Sequence, residues 1–216
     1  MRIKDLAKRG LSAVGIRSMR QFWFFPYRGE PTDREQVDRE YRTGQWDSLK
    51  TLAELPRYYV IAGYCERFRP MPAVLDIGCG EGFLQQALGR YTSYVGLDLS
   101  SEAIARARSR EDERTRFVQG DVYAFTPDQR FDVVVFNESL FYMRDPIAAL
   151  RRFDGALEPG GVFIVSIYEM GLDRRIWKML RADYETIAGV RLEDEERLSW
   201  IVRVLRPRSG QVPAGG

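Results

Sequence analysis

The chain has 216 residues, 33 basic and 31 acidic side chains, a net charge of +2 and no histidine. That length suits a single domain able to bury a full core without metal or disulfide staples. Balanced charge argues against a nucleic-acid partner, and the missing histidine excludes Ser-His and Cys-His nucleophiles and disfavours structural zinc.

In chain order, residues 1–30 combine basic side chains with Ile3, Leu6, Leu11 and Val14 at helical spacing, then the aromatic run Phe22-Trp23-Phe24-Phe25-Pro26-Tyr27. The spacing predicts a short amphipathic helix, with the aromatic run read as a lid, a membrane-surface or partner contact, or an acceptor pocket. Residues 31–69 place Leu49, Leu52, Leu55, Tyr58, Tyr59, Ile61 and Ala62 periodically, which predicts one or two helices broken at Pro56. From residue 73 strands and helices alternate. Strands are expected at Ala73–Ile77, Tyr94–Leu99, Arg116–Gln119, Phe131–Phe136 and Val162–Tyr168. Helices are expected at Gly82–Arg90, Ser101–Arg108 and Pro146–Leu157, the last ending before Pro159-Gly160-Gly161. A further helix near Leu172–Leu180 precedes two strands, Thr186–Leu192 and Ser199–Leu205, close enough to pair antiparallel at a sheet edge.

Buried, non-alternating strands separated by helices indicate a parallel α/β sheet. The expected organisation is a lid segment at 1–56, a core domain at 57–208 and a tail at 209–216. No stretch approaches the ~20 apolar residues of a membrane-spanning helix, and no cleavable leader pattern is present, so the expected compartment is the cytoplasm. Cys65 and Cys79 form neither a disulfide framework nor a metal pair, no metal is expected, and Cys79 reads as a small residue in a tight turn.

The chemistry begins at Gly78, Gly80 and Gly82, between a strand and a helix. Glycines there let a ligand approach the backbone, and the turn favours an anionic group. A dinucleotide fingerprint needs its third glycine at position 83, where this chain has Phe83. Asp76, two residues before the first glycine, would repel a pyrophosphate but suits the ammonium of an amino-acid moiety. Asp98, at the end of the second strand, is placed to accept from both ribose hydroxyls, with Leu99 against an adenine face and Asp121 near an adenine amino group. Ammonium, carboxylate, ribose and adenine together describe S-adenosylmethionine.

Val74-Leu75-Asp76-Ile77-Gly78-Cys79-Gly80-Glu81-Gly82 resembles the first motif of the class I methyltransferases. Gly96-Leu97-Asp98-Leu99-Ser100, Gln119-Gly120-Asp121-Val122, Phe131-Asp132-Val133-Val134-Val135-Phe136-Asn137-Glu138 and Leu157-Glu158-Pro159-Gly160-Gly161 resemble its later motifs, in order, over about residues 57–205. The resemblance implies a Rossmann-like, seven-stranded, mostly parallel sheet with its last strand antiparallel, helices on both faces and an N-terminal helical lid. It also implies a methyltransferase using S-adenosylmethionine and leaving S-adenosylhomocysteine, with Val122 and Asn137 added to the cofactor set. Tyr41, Trp46, Arg57-Tyr58 and Asn137–Tyr142 look like small bacterial methyltransferases associated with surface-polysaccharide and nodulation-factor-type sugars. That implies a sugar hydroxyl or amine as small-molecule acceptor, a lid folding over the cofactor and Arg57 on its carboxylate.

Without histidine, the candidate base for a hydroxyl acceptor is Glu138, at the end of the fourth strand; Tyr142 and the Tyr168-Glu169 pair are placed to line the same pocket. Two other readings stay open: a cofactor-binding module without turnover, and transfer to a lipid-linked substrate at a membrane surface touched by the N-terminus. Nothing here indicates the oligomeric state.

Overall fold

The computed structural model describes residues 33–169, 173–195 and 197–208. The helix expected within residues 1–30, the aromatic run 22–27 and the tail 209–216 lie outside the described residues.

The first described helix, α1 (Arg34–Arg42), starts at Asp33, whose carboxylate accepts from the Glu35 amide. A 3₁₀ turn at Asp47–Lys50 leads to α2 (Leu55–Phe68). There follow β1 (Ala73–Ile77), α3 (Phe83–Ala87), β2 (Ser93–Asp98), α4 (Ser101–Ala107), β3 (Thr115–Gln119) and β4 (Phe131–Asn137). The remainder is α5 (Pro146–Arg151), β5 (Leu157–Tyr168), α6 (Asp173–Asp183), β6 (Tyr184–Glu193) and β7 (Ser199–Pro207). The seven strands make one sheet in the order β3-β2-β1-β4-β5-β7-β6. Strands β1 to β5 pair in parallel, and β7 runs antiparallel between β5 and β6. The expected sheet is the one observed.

Both faces are covered, which is why the strands are apolar at successive positions. Val74, Val133, Val135 and Ile164 pack with Tyr58, Ile61 and Cys65 of α2, Leu84 of α3 and Ile104 of α4. Leu75, Ile77, Val134 and Phe136 pack on the other face with Leu150, Phe153, Trp177 and Leu180. Since side chains alternate along a strand, Asp76 and Asn137 fall on the face that α2 covers. The order reverses between β1 and β4, and the crevice at the carboxyl ends of those strands is where such sheets bind ligands.

Several expected elements differ in extent; β5, expected over Val162–Tyr168, starts at Leu157 and takes in Pro159-Gly160-Gly161. Pro56 opens α2 instead of breaking a helix, because its missing N–H is harmless in a first turn. The boundary expected between 56 and 57 therefore falls inside that turn. The helix expected from Gly82 starts at Phe83 and spans five residues, since Gly82 has φ 81° and cannot continue a right-handed helix. The helix expected over Pro146–Leu157 stops at Arg151, and a 3₁₀ turn at Asp154–Ala156 leads into β5. No described helix is long and apolar enough to cross a membrane.

Candidate functional site

Gly78 and Gly80 adopt φ 76° and 54°, a region open to glycine at little cost. A Cβ on Gly78 would lie 2.4 Å from the Ser139 Cβ, and one on Gly80 would lie 2.9 Å from the Tyr41 hydroxyl. The turn is thus pressed between the start of the β4–α5 connection and α1. Four of its amides are already engaged. Gly78 and Cys79 donate to the Leu97 carbonyl at 2.7 and 3.1 Å, Gly80 to the Asp98 carboxylate at 2.8 Å and Gly82 to the Cys79 carbonyl at 2.9 Å. A carboxylate cannot rely on these donors, so the cation Arg57 matters more than the glycine motif suggests.

Asp98 is held by the Gly80 and Ser100 amides, both at 2.8 Å. Burial raises its pKa, and these amides act in the opposite direction. A carboxylate has about four acceptor positions, so two remain for hydroxyl donors. Asp76 is 1% exposed; one oxygen accepts from the Tyr94 hydroxyl at 2.6 Å, and the other has no partner. Burial pushes its pKa up to about 7, against the pull of the Tyr94 hydroxyl. An unpartnered buried carboxylate oxygen costs free energy until a donor reaches it.

Arg57 is 2% exposed and donates to the Asn137 amide oxygen and to the Glu54 carboxylate, while its Nε has no partner. Burial acts against its charge, but the Glu138 and Glu54 carboxylates outweigh that and raise its pKa. Asn137 therefore grips the cation through its amide oxygen.

Glu138 has φ 54°, a strained conformation for a residue with a side chain. Its carboxylate accepts from the Ser166 hydroxyl at 2.5 Å and the Tyr168 amide at 3.0 Å. Burial raises its pKa against the attraction of Arg57. Leu99 is half-buried beside Asp98, and its carbonyl accepts from the Gln119 side chain at 3.1 Å. Asp121 is exposed past β3 and caps its own turn by accepting from the Tyr123 amide at 2.8 Å; Val122 is buried in the core. Glu169 turns away, accepting from Ser199 at 2.6 Å and pairing with Arg191 on β6. Cys79 is buried, with burial raising its thiol pKa well above the usual value.

Several contributors escaped the sequence reading. Asp38, 7% exposed on α1, accepts from the Ser100 and Ser101 hydroxyls at 2.6 and 2.9 Å and from the Glu102 amide at 3.2 Å. Arg106 reaches the Tyr41 carbonyl and Glu81, both at 2.8 Å. Tyr41 stacks on Trp46 with centroids 5.8 Å apart, and Trp46 meets Tyr142 edge-on at 6.1 Å. This aromatic row runs from the glycine turn to the β4 rim. Tyr41, Trp46 and Tyr142 were marked by the resemblance, but not their stacking; Asp38 had only its helical spacing from Tyr41 as a signal, and Glu54 and Ser166 had none.

The residues fit the cofactor expected from the motifs: the unpartnered Asp76 oxygen suits an ammonium, the open Arg57 Nε a carboxylate and Asp98 two hydroxyls. Comparison with known proteins agrees. Residues 75–165 match the family model described as Methyltransferase domain. An uncharacterized methyltransferase of Mycobacterium bovis is 34% identical over 110 residues, covering 49% of this chain and 56% of that protein. The chain thus spans little more than half the length of that curated relative. The N-methyltransferase NodS from Bradyrhizobium japonicum, solved with S-adenosylhomocysteine, superposes with a TM-score of 0.67 at 18% identity over 81% of this chain and 98% of that one. The 1,6-didemethyltoxoflavin-N1-methyltransferase of Burkholderia thailandensis gives 0.65 at 23% identity over 82% and 87%. At these identities the structural likeness establishes the fold.

Proposed function

Residues 75–165 match a methyltransferase domain model, and on that basis we propose that the chain is a class I methyltransferase that transfers a methyl group from S-adenosylmethionine to a small-molecule acceptor. The acceptor we favour is a hydroxyl or amine of a sugar or related metabolite. One observation carries the reading: Arg57, Asp76 and Asp98 meet at the carboxyl ends of β1, β2 and β4 with unfilled valences that match an amino-acid nucleoside. Arg57, steadied by Asn137, faces the carboxylate, Asp76 the ammonium and Asp98 the ribose. Leu99 lies against the adenine face, with Asp121 and Val122 at its edge. When bound, the cofactor supplies an electrophilic methyl on a sulfonium.

The chain's own work is then positioning and the exclusion of water. The Tyr41, Trp46 and Tyr142 row closes one side, and the Glu138 carboxylate stands at the β4 rim as candidate base for a hydroxyl. Its two existing hydrogen bonds fix its orientation and leave acceptor capacity. Those same bonds favour a second reading, in which Glu138 is purely structural and the domain binds its cofactor without turnover.

Calorimetry and transfer assays with nucleotide sugars, free glycosides and amines separate these readings. The wild type should bind S-adenosylhomocysteine and Asp98→Ala should lose that binding. Glu138→Gln should lower turnover on a hydroxyl acceptor by about 10²-fold or more at saturating cofactor. No binding by the wild type would refute the cofactor assignment. Binding without transfer to any acceptor would favour the second reading.

A further inference from the structure

An acid at the start of a helix ordinarily turns its side chain toward the unpaired amides of the first turn. Glu54, at the N-terminal flank of α2, has backbone angles of −85° and −23° and makes no such capping bond. It turns inward instead, onto Nη2 of Arg57. Nη1 of the same guanidinium donates to Asn137, while Nε, fully buried, has no partner.

Guanidinium geometry gives this pattern a meaning. Nε and Nη2 form the side-on edge of the fork, where a carboxylate can accept two parallel hydrogen bonds. Glu54 fills half of that edge and leaves the other half open. The Glu54 side chain is 18% exposed, so it can turn to solvent, whereas Arg57 at 2% cannot leave. The geometry points to Glu54 as an internal stand-in for the cofactor's carboxylate: it neutralises Arg57 in the free protein and is displaced when a ligand carboxylate takes the Nε–Nη2 edge. This rests on the cofactor assignment proposed above.

The need for a stand-in follows from the burial of Arg57. A buried guanidinium is strongly destabilising unless its charge is offset and its donors are paired; Glu138 shares in offsetting the charge, and Glu54 is the carboxylate hydrogen-bonded to the Nε–Nη2 edge of the fork. The same contact makes Glu54 a competitor, weakening every ligand that binds through a carboxylate. It also joins ligand binding to the conformation of residues 51–54, the turn between the Asp47–Lys50 segment and α2.

Glu54→Gln tests this, because glutamine keeps the size and a neutral acceptor while losing the charge. Titration calorimetry on wild type and variant would use S-adenosylhomocysteine and 5′-methylthioadenosine, which shares the nucleoside but lacks the amino-acid end. Thermal unfolding without ligand verifies that the variant folds; Glu54→Asp, whose shorter acid reaches Arg57 poorly, serves in its place if it does not. The expected result is tighter S-adenosylhomocysteine binding on the order of ten-fold, with 5′-methylthioadenosine changed less than about two-fold. Unchanged or weaker S-adenosylhomocysteine binding would overturn the inference, as would an equal gain for both ligands. If neither protein bound either ligand, the cofactor assignment itself would fall, and the stand-in with it.

Discussion

Asp76 is the residue whose environment is least like that of an ordinary carboxylate. It belongs to a strand with four buried positions in a row, one oxygen satisfied by Tyr94 and the other by nothing. With its pKa raised from 3.8 to about 7, the folded protein keeps a proton that the unfolded chain has already released. Between those two values the native state binds more protons, so stability falls as pH rises through the window and levels off above about 7. An ammonium against the free oxygen favours the ionised form. S-adenosylhomocysteine should therefore bind more tightly from pH 6 to pH 8, with proton release that calorimetry in buffers of different ionisation enthalpy will detect. Asp76→Asn should flatten both the stability profile and the binding profile. A wild-type affinity independent of pH over that range would show that Asp76 does not meet the ammonium. Positions of this kind were legible from sequence where the motif placed an acid at a strand end, as with Asp76 and Asp98. Arg57 was legible as a cation but not as one already held by Glu54 and Asn137, because the second contact spans 80 positions.

At the scale of elements, α1 is fastened to the domain through Asp38, which caps α4 from outside that helix. Burial tends to raise its pKa, but the Ser100 and Ser101 hydroxyls prevail and hold it below its ordinary value. The stability it confers is accordingly present above the ordinary carboxylate range and lost as pH falls below it. Asp38→Ala should cost about 1–3 kcal/mol in urea unfolding with an unchanged m-value. It should also speed S-adenosylhomocysteine dissociation in stopped-flow fluorescence of Trp46, since the Tyr41–Trp46 row loses its anchor. An unaltered dissociation rate would mean that α1 does not act as a lid. The central strands β1, β2 and β4 were read from sequence to within a residue because burial on both faces leaves apolar runs, whereas β5 begins at Leu157, five residues before the expected Val162, since Pro159-Gly160-Gly161 looked like a turn. The region before β1 was not read so closely. Leu49, Leu52 and Leu55 have helical spacing, yet Leu52 is 82% exposed and residues 47–50 are 3₁₀. Periodicity without burial misled there, and Pro56 marked a beginning where a break was expected.

Across the whole molecule, the site borrows from α1, α2, β1, β2 and β4, all beside the reversal in strand order, while the β6–β7 hairpin and α6 complete the core on the far side of β5. That division has an energetic consequence. Leu180 on α6 is 1% exposed and packs with Phe153, Phe163 and Tyr184 in the core of the face opposite α2. Leu180→Ala should lower unfolding free energy by about 2–5 kcal/mol through lost burial and the cavity left behind. A ligand binding only the native state adds a stabilisation set by its concentration relative to Kd, about 2.7 kcal/mol at a hundred-fold excess over Kd. If the domain unfolds as one unit and the two regions are energetically separate, the ligand increment should be the same in wild type and Leu180→Ala within about 0.5 kcal/mol. Chemical denaturation with and without S-adenosylhomocysteine measures both quantities. A smaller increment in the variant would show that α6 packing is transmitted to the cradle. The path would run through β5, whose Ser166 and Tyr168 hold the carboxylate of Glu138, a residue in the left-handed conformation at the carboxyl end of β4.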